Sequence, residues 1–293
     1  MVARRIRVVG VAAGYGAGDP ACQDGAEVLR TLRFLDDLES VDDGLSWDQP
    51  VRLAPPWPAD PVDAVQGIAS QLAQRVAGHL VQGDFPLVIG GDHSCAIGTW
   101  SGLKAALDHD RRLGLIWIDA HMDSHTPASS PSRNVHGMPL ACLLGHGDPR
   151  LTGIAGAAPK LLAEDVCLIG VRSFESAEAA LLDQLGVSIF FMDEVRQRGL
   201  PAVFADALRR VTRHTAAYGI SIDLDALDPA EGPGVGTPVA GGLSRADLTD
   251  ALALAQGDER LRALEIVEYN PYRDEHFVTA RAIHDLCQSV IEI

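Results

Sequence analysis

Residues 113–125 read LGLIWIDAHMDSH. The first six are an apolar run carrying Ile and Trp, the pattern of a short strand buried on both faces of a parallel sheet. Asp119, His121, Asp123 and His125 then follow at every second position. Successive residues of an extended segment point to opposite sides, so Asp119, His121 and Asp123 share one side while Ala120 and Met122 turn away. In open α/β sheets ligands bind beyond the carboxyl ends of the strands. Charged side chains lined up there therefore read as a site.

The same strand pattern recurs at residues 6–13, 86–91, 165–172, 187–193, 218–227 and 261–270. Helical periodicity fills the intervals. In residues 60–83, Val65, Ile68, Leu72, Val76 and Leu80 recur at steps of three or four, and Asp60-Pro61 supplies a cap followed by a first-turn proline. Further helices are expected over residues 25–38, 96–109, 176–185, 201–214, 244–256 and 278–291. Strand and helix alternate throughout, which predicts a three-layer α/β/α sandwich with a mostly parallel central sheet, built as a single domain over residues 1–293. Residues 231–242, EGPGVGTPVAGG, are too rich in Gly and Pro for either element and read as a loop.

The bulk composition narrows the function classes. With 47% hydrophobic and 22% charged residues, the chain can bury a large core, so disorder is excluded. A net charge of -16 argues against nucleic acid, whose phosphates would be repelled, and favours a cationic ligand. LGLIWI and PLVIGG are far too short to cross a bilayer, and MVARRIRVVG has basic residues without a long apolar run, so a cytoplasmic protein with no membrane partner is expected. Five scattered cysteines without a CxxC pair suggest neither disulfides nor a thiolate metal site.

Two further strand ends match the first. Residues 219–229, GISIDLDALDP, group Asp223 with Asp225, and residues 86–94, PLVIGGDHS, carry His93 after two glycines, Gly90 and Gly91, that let the backbone bend. Adjacent strands would bring the three groups together. Carboxylates about 4 Å apart repel by roughly 4 kcal/mol per pair at an effective dielectric near 20. Cations are needed to hold them. Four Asp and two His carry a formal charge of about minus four, which two divalent ions neutralise. The oxygen-rich set argues against a thiolate-type zinc or copper site and the two imidazoles against calcium or magnesium, so two manganese ions per subunit fit best, with iron, cobalt or zinc open.

GGDHS (90–94), DAHMD (119–123) and SIDLDALDP (221–229) together resemble, in order and across the chain, the three signature motifs of the ureohydrolase superfamily of arginases, agmatinases, guanidinobutyrases and formimidoylglutamases. The resemblance implies an arginase-like sandwich, a trimeric or hexameric homo-oligomer, and a binuclear manganese centre. His93, Asp119, Asp123 and Asp223 would hold one ion, and Asp119, His121, Asp223 and Asp225 the other, with Asp119 and Asp223 bridging. NVHGMPLA (134–141) resembles the arginase segment with a catalytic histidine, here His136, and agmatinases usually differ there. GTPVAGGL (236–243), with Thr237, and EIVEYNP (265–271), with Glu268 at the guanidinium position, also resemble arginases. Asp92 and Asp228, inside the motifs, would orient neighbouring groups.

The implied reaction is hydrolysis of the L-arginine guanidinium to L-ornithine and urea by a metal-bridging hydroxide. Glu268 would orient the guanidinium, Asp225 would hold the proton, and His136 would exchange it with solvent. His125, Ser132, Asn134, Thr237 and Glu175 would complete the substrate contacts, with His125 or Arg133 able to bind an anion. Three positions depart from the arginase pattern: His125 stands where Asn usually holds the substrate carboxylate, Arg133 replaces a Gly, and Glu175 replaces an Asp. Another amidino hydrolase of the superfamily is therefore the alternative. A deacetylase of related fold would need a paired-His motif, which the chain lacks. A non-catalytic metal-binding homologue is the third reading.

Overall fold

The computed structural model describes residues 5–38 and 44–291. Strand β4 (Leu113–Ile118) is buried at every position because helices cover both faces of its sheet. Ile116 and Ile118 point into one apolar layer, and Leu113, Leu115 and Trp117 into the other. The period of two assigns each side chain its layer.

The other strands are β1 (Ile6–Gly10), β2 (Leu45–Trp47), β3 (Phe85–Ile89), β5 (Val166–Val171), β6 (Ser188–Phe191), β7 (Ala217–Asp223) and β8 (Leu261–Val267). Their order across the sheet is β2-β1-β3-β8-β7-β4-β5-β6, and every pairing is parallel. Helices α1 (Gly25–Thr31), α8 (Leu200–Val211), α9 (Arg245–Leu252) and α10 (Val278–Val290) pack on one face. On the other lie α2 (Pro61–Val81), α3 (Cys95–Ala106), α4 (Pro139–Leu143) and α6 (Ser176–Leu185). Two short helices, α5 (Pro149–Thr152) and α7 (Met192–Arg198), complete the set. The result is a three-layer α/β/α sandwich. No described helix is long and apolar enough to cross a membrane.

Local signals held where they were strong. Asp60 accepts a hydrogen bond from Val62 N and caps α2, whose Val65, Ile68, Leu72, Val76 and Leu80 are all buried. Ser244 caps α9 in the same way. Residues 231–242 form the expected loop.

Boundaries moved where tertiary geometry intervened. The first helix stops at Thr31, not residue 38, and Arg33 has a left-handed backbone that no α-helix continues through. The edge strand β2, three residues long, is too short for a periodic signal. The strand expected through residue 193 ends at Phe191, where α7 begins. Gly90 and Gly91 are not left-handed. Gly91 is required by close approach instead, since a Cβ there would lie 1.8 Å from the Ala13 carbonyl oxygen.

A second glycine shapes the core. A Cβ on Gly219 in the middle of β7 would lie 2.0 Å from the Trp100 ring, whereas one on Gly78 in α2 would meet nothing within 4 Å. Gly219→Ala is expected to lose about 2 kcal/mol to overpacking. Gly78→Ala is expected to gain about 0.5–1 kcal/mol from helix propensity. Urea unfolding of the two variants, with opposite signs of change, checks this.

Candidate metal centre

Four adjacent strands, β3, β8, β7 and β4, deliver the acidic residues to one end of the sheet. Asp223 arrives as the last residue of β7, and the others lie beyond their strands. β4 ends at Ile118, and the chain beyond it turns through a left-handed Asp123. Residues 119–123 therefore converge as a loop, which brings Asp123 inward by a turn, not by a pleat. β7 ends at Asp223, whose Oδ1 accepts the Asp225 amide at 2.9 Å and folds residues 224–226 into a single 3-10 turn. Arg172, on the exit of β5, donates to the carbonyls of Asp225 and Val239 at 2.7 and 2.8 Å and fixes that turn against the neighbouring loop.

The side chains meet in two groups that could each hold an ion: His93, Asp119, Asp123 and Asp223, and Asp119, His121 and Asp225. His93 Nδ1 lies 3.3, 3.0 and 3.0 Å from oxygens of Asp119, Asp123 and Asp223. It is fully buried, yet it hydrogen-bonds to none of them. One N–H cannot serve three acceptors, but one lone pair can share an ion with three carboxylates. His121 Nδ1 faces Asp225 at 3.0 Å and Asp119 at 3.5 Å. Asp119 joins the groups through its two oxygens, and Asp223 falls in the first group only, its other oxygen being occupied by the Asp225 amide.

The electrostatics show the same demand for positive charge. Burial and the charges of Asp225 and Asp119 push the Asp223 carboxyl well above its usual range. Burial and Asp119 likewise raise Asp123 to about 6. Burial disfavours the His93 cation, but Asp119, Asp123 and Asp223 outweigh it and hold the imidazole well above its ordinary range. Divalent ions would satisfy these carboxylates more fully than shared protons. The donor set, carboxylate oxygens and imidazole nitrogens with all five cysteines buried and free elsewhere, suits a borderline-hard divalent ion.

Buried groups behind the cluster orient it. His93 stacks on Trp117 with centroids 4.1 Å apart, and Trp117 Nε1 donates to Asp119 at 2.8 Å. His93 Nε2 lies 3.1 Å from the Ser221 hydroxyl, which donates to Glu265 at 2.6 Å, and Thr99 and Trp100 also donate to that carboxylate. Sequence reasoning missed Ser221 and Glu265. The signal was present, since Glu265 is the one acid inside the buried apolar strand LRALEIV, and a buried acid needs donors.

A cleft of about 190 Å³ opens onto the centre, lined by the buried Glu268, Asp225, His125 and Glu178 and the half-buried His136 and His121, with the exposed Thr237, Ser132 and Glu175 at its rim. Glu268 is buried and left-handed, a backbone state that costs about 1–3 kcal/mol and persists where the surroundings enforce it. Its Oε1 accepts from His93 N at 2.9 Å and sits 3.1 Å from His136 Nδ1. Against the penalty of burial, Glu268 raises His136 to about 9, with Asp123 and Asp92 adding to it. Thr237 donates to Asp225 at 2.9 Å. At the rim, His125 Nε2 lies 3.0 Å from Glu175 and 3.5 Å from Glu178. Asn134 donates its amide to Ser132 Oγ and does not line the cleft. Asp92 takes the Gly16 and Ser94 amides and Asp228 those of Ala230, Gly241 and Gly242, so both shape loops and neither joins an ion group.

Residues 4–292 match the model of the arginase family. The chain is 42% identical to an arginase of Brevibacillus brevis over 78% of its length and 76% of the relative's, and 44% identical to one of Bacillus caldovelox over 74% and 72%. The solved structure of the Bacillus caldovelox arginase superposes with a TM-score of 0.92 at 35% identity, covering 99% of both chains. The chain belongs to the arginase family and is a hydrolase of linear amidino groups.

If Ser221 orients His93, then Ser221→Ala should weaken divalent-ion affinity by about tenfold or more while the fold persists. Calorimetric titration with manganese alongside circular dichroism checks this. Unchanged affinity would mean that the imidazole needs no such support.

Proposed function

We propose that the protein hydrolyses L-arginine to L-ornithine and urea with two manganese ions in the centre. The observation that carries this reading is Glu268. It is a buried carboxylate at the floor of a small cleft, paired with His136 and set directly beside the acidic cluster. A guanidinium is the planar cation such a carboxylate receives. The arginase relatives support the same substrate class.

When bound, the ions would acidify a shared water and supply a hydroxide nucleophile at neutral pH. His93, Asp119, Asp123 and Asp223 would hold one, and Asp119, His121 and Asp225 the other, with Asp119 shared between them. Glu268 would anchor the guanidinium and orient its carbon, turning an encounter into a positioned reaction. Thr237 holds Asp225 in place, and Asp225 would keep the proton near the departing amine. His136, partly exposed in the cleft, would exchange that proton with solvent.

The rim supports a second reading. His125 is held by Glu175 and Glu178, and among the described residues no Lys or Arg lines the cleft. A substrate carboxylate would find Ser132 and an imidazole already engaged, which suits a guanidino substrate without that group, such as agmatine. We place arginine first because HGMP and GTPVAGG follow the arginase pattern. We also propose a homo-oligomer, a trimer or hexamer, supported by the exposed Phe174–Phe191 ring pair, and a cytoplasmic location.

The test is urea release by manganese-loaded protein from arginine, agmatine and guanidinobutyrate, with formamide release from formimidoylglutamate. Arginine should be preferred by about tenfold or more in kcat/KM, a discrimination of about 1.4 kcal/mol. Equal or better turnover of agmatine would overturn the substrate assignment. Glu268→Gln should lose about 100-fold or more in kcat/KM with metal content intact, since a charged pair becomes neutral. Asp123→Asn should lose metal first.

A further inference from the structure

Residues 14–25, which include a 3-10 turn at Pro20–Asp24, run as a strap against Glu268. Gly16 N donates to Asp92 at 2.9 Å, and the His136 amide donates to the Gly16 carbonyl at 3.1 Å. At the other end, the Tyr272 hydroxyl donates to Asp24 at 2.7 Å, and Arg273 pairs with Asp19 at 3.4 Å. Gly25 fits against the chain just after Glu268 because it lacks a side chain, since a Cβ there would lie 2.6 Å from the Tyr269 carbonyl oxygen. The strap thus touches the loops after β3 and β8 and the segment of His136 at once. Between these ties Cys22, buried, places its Sγ 3.3 Å from Glu268 Oε2.

We propose that the strap positions the guanidinium-binding carboxylate, and that Cys22 is the residue through which it acts. Glu268 Oε1 is already directed by the His93 amide and by His136. Without a donor on Oε2 the carboxylate is held at one oxygen only, and its plane can tilt more widely about its last bond. The Cys22 thiol closes that freedom. Burial, then the nearby charge of Glu268, keeps the thiol protonated, so it donates and is no nucleophile. A planar guanidinium needs its carboxylate at one rotation, and the thiol selects it. Cys22 is a positioning residue, since it reaches the substrate only through Glu268, and this role rests on the amidino-hydrolase reading of the cleft.

The experiment compares Cys22→Ala with Cys22→Ser in the full chain loaded with manganese. Both remove the sulfur, but only Ser restores a donor. Calorimetry reads binding of the guanidinium ion itself, and kinetics on the best guanidino substrate separate KM from kcat. Cys22→Ala should weaken guanidinium binding and raise KM by about tenfold, the size of one hydrogen bond to a charged group at the low end of its range. Its kcat should stay within about threefold and its metal content unchanged. Cys22→Ser should recover most of the loss. Equal losses in both variants, or parental values in both, would overturn the proposal. Tyr272→Phe releases the strap at the surface and should raise KM in the same direction. Parental values there would count against the strap even if Cys22→Ala failed to fold. A parental protein that hydrolysed no guanidine would sink the functional reading, while the guanidinium titration would still decide the role of Cys22.

Discussion

The protein is organised around Asp119, a carboxylate buried just beyond the interior strand β4 and shared between two groups of acids and imidazoles. Uncompensated acids at such distances repel by several kcal/mol each. Every feature around them acts to hold that charge in place. Trp117 and the His121 amide donate to Asp119, and the Asp225 amide donates to Asp223. His93 is stacked on Trp117 and backed by Ser221 and the buried Glu265. An all-parallel sheet makes this possible, because it gathers the carboxyl ends of β3, β8, β7 and β4 at one edge while two apolar layers keep them rigid.

The centre and the rim are built on different terms. Below, every acid is buried, and Asp119, Asp223, Asp225 and Glu268 each accept from a fixed donor, so small changes should be felt as lost ions or lost orientation. Above, Glu175 is exposed and holds His125 from the start of α6, where the Glu175 amide in turn donates to Glu178. Burial and the Glu175 contact raise Glu178 to about 8. Polar residues at a rim can change the far end of the substrate without disturbing the chemistry below. The three departures from the arginase pattern, at 125, 133 and 175, lie in or beside this rim and none in the groups around His93 and His121.

Much of this was legible in the residues. The alternation of apolar runs with helical periods foretold the layered sheet, and the acidic strand ends foretold which residues would meet. The route of convergence was not legible. Asp123 and Glu268 reach the centre through left-handed backbones that a period of two cannot describe, and Arg33 ends α1 for the same reason. β2 was invisible because three residues carry no periodic signal. The strap was invisible because its contacts, Cys22 with Glu268 above all, join residues far apart in the chain and leave no local pattern.

The most direct test is anomalous diffraction from crystals of the protein grown with manganese. Two peaks of anomalous density should appear, one among His93, Asp119, Asp123 and Asp223, the other among Asp119, His121 and Asp225, about 3.5–4 Å apart. A single peak, or none with these side chains splayed from one another, would contradict a paired-ion centre.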